Sequence, residues 1–143
     1  MFRFTLKLFA VLFLAVGATH LFLGLGADHL LGIDISAPAQ TYASLDSQNR
    51  FYGTAFMLFT PVLWRSADDP VANAGLFRAA MVIFLVGGSS RLLSIHSFGP
   101  LLPKVGNMLY FELSFPVLLL FWHKAVLAQA TSSDRTVGTG TSA

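Results

Sequence analysis

Residues 107–122 read N-M-L-Y-F-E-L-S-F-P-V-L-L-L-F-W, an apolar stretch that is long enough, with its flanks, to cross a lipid bilayer. It contains Glu112, the single glutamate of the chain. A carboxyl group at that depth is costly unless another group pairs with it, so an intramembrane carboxyl marks a candidate functional site. We therefore predict a buried partner for Glu112, and the best candidate is Arg91 in the preceding apolar stretch.

The composition indicates a membrane protein. Apolar residues make up 55% of the 143 residues and charged residues 11%, against roughly a quarter charged in an ordinary soluble domain. The chain has no cysteine, which excludes disulfides, a thiol nucleophile and a thiolate metal site. A net charge of +2 with scattered basic residues does not indicate a nucleic-acid partner.

Four apolar segments predict an all-α membrane protein, a bundle of four transmembrane helices in one domain of residues 1–127. The predicted spans are residues 4–25, 49–65, 76–96 and 105–127, and a disordered tail is predicted over residues 128–143, where small polar residues predominate. A cleaved secretory signal is the alternative for the first segment, because a basic start precedes an apolar run and small residues. The apolar character continues past any such cleavage point, which favours a full span.

The positions of the basic residues predict the orientation. Bases precede the first span, flank the second loop and follow the last span, whereas the first loop has none. Excess Lys and Arg marks cytoplasmic ends, so both termini are predicted to be cytoplasmic. His20, Arg50, Arg91 and Glu112 then all lie in the outer half of the membrane, the last two roughly 10 Å inside the outer ends of their spans at about 1.5 Å per residue.

Glycines accompany these polar residues at helical spacing. Spacings of three or four residues put two side chains on one helical face, and glycine lets membrane helices approach closely. The glycines concerned are Gly17 and Gly24 around His20, Gly53 after Arg50, and Gly87 and Gly88 before Arg91. We expect the polar groups to face inward, and we expect the first three spans to meet at these glycines. Pro61 and Pro116 each remove a helical hydrogen bond, which predicts a kink in spans two and four.

Each polar residue has a structural and a functional interpretation. An Arg91–Glu112 pair either fixes the register of the bundle or forms a ligand or proton site. Arg50, at the end of a span, either caps or snorkels there, or holds a ligand, and His20 is either a hydrogen-bonded core residue or a ligand. The acids of the first loop lack metal-site spacing, so neither a metal nor a cofactor is expected, and catalytic residues stay unassigned.

Three motifs carry a family resemblance: L-D-S-Q-N-R-F-Y-G-T at 45–54, V-G-G-S-S-R-L-L-S at 86–94 and E-L-S-F-P at 112–116. In this order they resemble the small membrane family catalogued as domain of unknown function 4345, and more distantly the DoxX-like four-helix membrane proteins. The resemblance implies four helices in a bacterial inner membrane and assigns no activity. The motif residues it indicates are Asn49, Arg50, Tyr52, Gly53, Arg91, Ser94 and Glu112.

Two classes of function remain open. We favour a non-catalytic multi-pass protein of the inner membrane, either an accessory subunit or a binder of a small lipid-like ligand at the outer polar cluster. The expected partners are then membrane lipid and either copies of the same chain or a larger membrane complex. The alternative is a membrane enzyme or proton-coupled carrier that uses Glu112 with Arg50 or Arg91. A carrier with four spans and no visible repeat would need to be an oligomer.

Overall fold

The structure, a computed structural model, describes residues 1–33 and 43–138. These residues form helices and no strand. The helices are α1 (Phe2–Leu23), α2 (Leu25–Leu30), α3 (Ala43–Met57), α4 (Phe59–Asp68), α5 (Ala74–Phe98) and α6 (Pro103–Gly138). The chain is therefore all-α over its described length, as the sequence predicts.

Within the described residues, three helices are long and apolar enough to cross a membrane: α1, α5 and α6, the last over residues 103–132. Large apolar side chains cover much of their outer surface and are exposed, which suits contact with lipid tails and not with water. These three helices correspond to the predicted spans 4–25, 76–96 and 105–127. They indicate a membrane protein.

The predicted span at residues 49–65 is not one continuous helix. Instead α3 ends at Met57 and α4 begins at Phe59, so Leu58 interrupts the run. Proline has no N–H group, so Pro61 cannot donate to the carbonyl of Met57 four residues earlier. The helix is thus interrupted three residues before Pro61, where Leu58 keeps helical backbone angles of φ −64° and ψ −22°.

The buried faces follow helical spacing. On α1 the buried residues recur at intervals of three and four, namely Phe2, Leu6, Ala10, Phe13 and Gly17. On α5 the same spacing joins Phe77, Ala80, Met81, Phe84 and Gly88. These stripes meet buried residues of α4 and α6 in one aromatic-rich core, in which Phe13 contacts Phe56, Phe59, Phe84 and Phe115.

The helices associate as two close pairs. In the first pair α1 packs on α3, and a Cβ at Gly17 would lie 2.6 Å from the carbonyl oxygen of Gly53. A Cβ at Gly53 would in turn lie 2.6 Å from the Cβ of His20, so the close approach expected there is present. In the second pair α5 packs on α6, and a Cβ at Gly88 would lie 2.8 Å from the Cβ of Glu112.

Gly87 does not take part in this approach. A Cβ built there meets nothing within 4 Å, so the expectation that Gly87 contacts a neighbouring helix is wrong. Successive helical residues point about 100° apart, so Gly87 and Gly88 cannot both face the same neighbour. Gly88 alone is the α5 glycine at the α6 interface.

The last helix continues further than the sequence predicts. A disordered tail is predicted from residue 128, whereas α6 extends to Gly138. Alanines favour the helix there, and the hydroxyl of Thr131 donates to the carbonyl of Leu127 at 3.0 Å. Residues 139–143 of the predicted tail lie outside the described part of the chain.

The end of the bundle opposite the polar cluster is closely packed. Lys7 pairs with Asp68 at 2.7 Å, and its ammonium group lies 5.0 Å from the ring centre of Trp64. The buried ring of His123 donates from Nε2 to the carbonyl of Pro70 at 2.8 Å and so ties α6 to the loop before α5. These contacts hold that end together around a smaller cavity of about 330 Å³ beside His123, and the larger cavity of the bundle lies toward the other end.

Candidate functional site: a cavity with one polar wall

Arg91 and Glu112 form a two-point ion pair between α5 and α6. The Nε of Arg91 donates to Oε2 of Glu112 at 2.5 Å, and Nη2 donates to Oε1 at 2.8 Å. The parallel geometry matches the planar guanidinium to the carboxylate. The Glu112 side chain is 15% exposed and that of Arg91 36% exposed, so the pair is partly buried. The partner predicted for Glu112 is confirmed.

A second polar group joins α1, α2 and α3. Asn49 donates from Nδ2 to a carboxylate oxygen of Asp28, and it also reaches the carbonyl of Gly24 at 3.3 Å. The other carboxylate oxygen of Asp28 lies 3.5 Å from Nε2 of His20. The remaining ring nitrogen of His20, Nδ1, lies 2.8 Å from the carbonyl of Val16. Three helices thus place one carboxylate, one amide and one imidazole side by side.

Arg50 serves a different purpose, because it caps the break between α1 and α2. Its Nη1 donates to the carbonyls of Leu21 and Phe22 at 2.8 and 2.9 Å. These carbonyls lie in the last turn of α1, where no further helical N–H group is available to them. Its Nε donates to Asp46 at 2.6 Å, and Asp46 also accepts the N–H of Leu25 at 3.0 Å. The Arg50 guanidinium, with help from the Leu25 N–H, holds the pKa of Asp46 below its ordinary value of 3.8.

Between the two helix pairs lies a cavity of about 810 Å³, partly open to the outside. Its polar wall consists of His20, Asp28, Asn49, Ser90, Arg91 and Glu112. Most of the remaining surface is apolar and includes Val16, Leu31, Ile33, Ala55, Phe56, Phe59, Ile83, Phe84, Val105 and Met108. The cavity therefore combines hydrogen-bonding groups from both helix pairs with a largely hydrocarbon lining.

Comparison with protein families gives one match. The model of the family described as "Domain of unknown function (DUF4345)" matches residues 1–123, most of the chain. The chain belongs to the DUF4345 family. No curated protein and no solved structure matches it. The resemblance to this family is confirmed, and the more distant resemblance to DoxX-like proteins stays a prediction.

In this DUF4345 chain the structure brings together most, not all, of the residues singled out in the sequence. His20, Asn49, Arg91 and Glu112 share the cavity wall, and Tyr52 borders the cavity with a side chain that is largely exposed. Two groups lie elsewhere. Arg50 is absent from the lining because it turns toward the end of α1, and Ser94 is exposed on α5 and does not line the cavity.

Asp28 is the residue that sequence reasoning missed. In the sequence it is one of three acids predicted in the first loop, with Asp34 and Asp46, and none of them is predicted there as a site residue. Asp34 lies outside the described residues. The short helix α2 turns back at Gly24, which has φ 57°, and so returns Asp28 to the level of His20 and Asn49. The signal that could have found it is the sequence L-G-L-G-A-D at 23–28, in which glycines allow such a turn directly after a span.

The chemistry available at this wall is hydrogen bonding and proton exchange. Over the described residues, no three His, Asp or Glu side chains come together in a way that could hold a metal ion. Glu112 has both oxygens engaged by Arg91, whereas the His20–Asp28 contact is long at 3.5 Å. The His20–Asp28 side of the wall is therefore the part that is most open to a ligand.

Proposed function

We propose that this protein is a four-span protein of the bacterial inner membrane that binds a small amphipathic, lipid-like molecule between its two helix pairs. The observation that carries this proposal is the cavity of about 810 Å³ with one polar wall. Ligand sites are mostly apolar clefts of about 300–1,000 Å³ with a few polar groups that orient the ligand. The apolar lining suits a hydrocarbon chain, and the polar wall suits a head group.

In this proposal residues 49–65 of α3 and α4 form the second membrane span, which is interrupted at Leu58. Both termini then lie in the cytoplasm, and the cavity lies in the outer half of the bilayer. The distribution of Lys and Arg supports this orientation. The outer half also suits a ligand drawn from the membrane, because the cavity is partly open to the surroundings of the bundle.

A binding role agrees better with the site than proton-coupled chemistry at Glu112 does. A proton-exchanging carboxyl group needs to release its counter-ion, and both oxygens of Glu112 accept from Arg91. Arg50, the other base assigned to the alternative, is held by two backbone carbonyls and Asp46. An accessory-subunit role is compatible with the exposed apolar surface but leaves the cavity without a purpose.

The experiment that tests binding uses glycine substitutions of matched chemistry. Gly87 borders the cavity, and a Cβ built there meets nothing within 4 Å, so Gly87→Leu adds a side chain at the cavity from a position that has room for it at Cβ. Gly75→Leu is the control, because Gly75 lies on the same helix, also has open space, and does not line the cavity. The measurement is native mass spectrometry of protein purified in mild detergent, with lipid extraction of the same samples.

We expect a copurifying small amphiphile in the parent protein and in Gly75→Leu, and its loss in Gly87→Leu. An amphiphile retained equally by all three proteins would contradict the proposal, because bound lipid would then not lie in the cavity. A stable partner chain, with no small molecule in any sample, would favour the accessory-subunit role.

The orientation has its own test, since the natural chain has no cysteine. Single cysteines can replace Ser47, at the start of α3, and Ser132, where the membrane-length part of α6 ends, both of which are exposed. In intact spheroplasts a membrane-impermeant maleimide should label Ser47→Cys and leave Ser132→Cys unlabelled until the cells are lysed. The reverse labelling pattern, or labelling of both, would refute cytoplasmic termini.

A further inference from the structure

We infer that the head group bound at the polar wall donates hydrogen bonds and carries no negative charge, as an amine or a hydroxyl does. This inference rests on the proposed function, because it concerns the ligand of the same cavity. The inference depends on the proton positions at His20, on the charges of the wall and on the hydrogen bonds that Arg91 already makes.

The proton on His20 is fixed by its neighbours. A backbone carbonyl can only accept, so Nδ1 of His20 must donate to the carbonyl of Val16, 2.8 Å away. In the neutral ring Nε2 then carries a lone pair, and this lone pair faces a carboxylate oxygen of Asp28 at 3.5 Å. Two acceptors face each other there. A donor placed between them, either a second proton on the ring or an O–H or N–H of a ligand, removes the repulsion.

The charges of the described lining residues favour the same kind of head group. The wall carries one guanidinium, that of Arg91, and two carboxylates, those of Asp28 and Glu112. Even with a charged His20 ring, the wall has no surplus of positive charge that would hold an anionic head group. A cationic or neutral donor needs no such surplus.

Arg91 does not reverse this balance. Its Nε and Nη2 are engaged by Glu112 in the two-point pair, and Nη1 is the guanidinium nitrogen for which the described residues supply no acceptor. An anion at Nη1 would lie beside the carboxylate that already neutralises Arg91. A hydroxyl could accept from Nη1 through its oxygen and still donate to Asp28, so a hydroxyl satisfies both sides of the wall.

The test compares head groups on one hydrocarbon chain. The probes are dodecylamine, dodecanol and dodecyl phosphate, added to the purified full-length protein in nanodiscs of zwitterionic lipid at pH 7. Binding is measured by native mass spectrometry for the parent, for Gly87→Leu and for Asp28→Asn. The Gly87→Leu protein removes from the comparison any binding to the lipid-facing surface, because only its cavity is blocked.

We expect dodecylamine and dodecanol to bind the parent at least about tenfold more tightly than dodecyl phosphate. This binding should disappear in Gly87→Leu. In Asp28→Asn the affinity for dodecylamine should fall by about tenfold or more, with a smaller loss for dodecanol, because the amide keeps an acceptor but loses the charge.

Two results would overturn the inference in distinguishable ways. If dodecyl phosphate binds the parent as tightly as the amine or more tightly, and Gly87→Leu abolishes that binding, the cavity binds amphiphiles but the assignment of the head group is wrong. If Gly87→Leu changes the binding of none of the probes, the cavity does not bind amphiphiles and the proposed function fails with the inference. The comparison among probes uses the parent protein, so it stands even if Asp28→Asn does not fold.

Discussion

The two arginines of the family motifs, Arg50 and Arg91, each pair with one carboxylate in the same part of the bundle, yet they do different things. Arg50 directs its Nη1 at the last carbonyls of α1 and stays outside the cavity. Arg91 gives Nε and Nη2 to Glu112, and the pair forms part of the cavity wall. An ion pair at the right depth is thus not sufficient evidence of a ligand site. The role of each arginine depends on which groups accept hydrogen bonds from the guanidinium N–H groups that its carboxylate partner leaves free.

The two ion pairs also stabilise the protein in different ways. The Asp46–Arg50 pair satisfies backbone groups at a helix break, and its loss leaves carbonyls without donors. In the Arg91–Glu112 pair the two side chains hydrogen-bond only to each other, so the loss of one member leaves an uncompensated charge. We therefore expect single changes at Arg91 or Glu112 to be costly and correctable by a second change. Changes at Arg50 should be less costly and not correctable.

The largest expected effect is the loss of one member of the Arg91–Glu112 pair. Arg91→Met or Glu112→Gln alone should lower the free energy of unfolding by about 3 kcal/mol, the lower part of the range for buried pairs because Arg91 is partly exposed. The double variant should recover much of this loss. The measurement is a double-mutant cycle on denaturant unfolding in detergent micelles. Additive losses without recovery would show that the two side chains are not energetically coupled.

A somewhat smaller effect should distinguish the two adjacent glycines of α5. Gly88→Leu should lower the free energy of unfolding by about 2–3 kcal/mol, because its Cβ would lie 2.8 Å from that of Glu112 and force α5 and α6 apart. Gly87→Leu should unfold at the same temperature as the parent or a higher one, since leucine favours a helix more than glycine does. Thermal unfolding of the detergent-solubilised variants measures both. Equal destabilisation by the two changes would show that both glycines are packed.

The cap on α1 should give a moderate effect. Arg50→Met removes two hydrogen bonds to the carbonyls of Leu21 and Phe22 and one to Asp46, and we expect a loss of about 1.5 kcal/mol. Because Arg50 does not line the cavity, the protein that remains folded should keep its bound amphiphile, as native mass spectrometry would show. Loss of the amphiphile from a folded Arg50→Met protein would show that Arg50 contributes to ligand binding.

The smallest expected effect is a pH dependence that arises at Asp46. Its folded pKa is lowered, mainly by the hydrogen bond from Arg50 and then by the Leu25 N–H. A lowered folded pKa contributes stability above the ordinary value of 3.8, and this stability is lost as the pH falls through the folded pKa. Unfolding midpoints from pH 6 down to about pH 3 should therefore decrease less steeply in Asp46→Asn than in the parent. Identical slopes would assign the acid sensitivity to other carboxyl groups.

Much of the fold and part of the site could be predicted from the sequence. The isolated Glu112 in an apolar run required a partner, and matching depth in the neighbouring span identified Arg91. Gly53 was correctly placed at a close helix contact, because Gly17 and His20 supply a matching face on α1. Such features follow from helical periodicity and from the cost of burying charge, both of which are local or nearly so.

The rest depended on three-dimensional details that periodicity does not encode. Gly87 and Gly88 are both within a turn of Arg91, and the face toward α6 is set by the rotation of α5 in the bundle. Asp28 reaches the wall because the chain reverses at Gly24, where a Cβ would lie 1.8 Å from Asp46. Arg50 was predicted beside the other polar residues, but its guanidinium turns to the end of α1. Rotation, chain reversal and side-chain direction are set by packing across the bundle.

The break at Leu58 has a consequence for how the cavity can change size. The N–H of Leu58 reaches back only three residues, to the carbonyl of Ala55 at 3.1 Å, and Pro61 offers no donor to Met57. Phe56 and Phe59, on either side of this point, both line the cavity. A helix bends most easily where its hydrogen-bond ladder is interrupted. The helical hydrogen bonding of this run is therefore weakest beside the apolar lining of the cavity, so we expect the lining to adjust there, at Phe56 and Phe59, before the polar wall does.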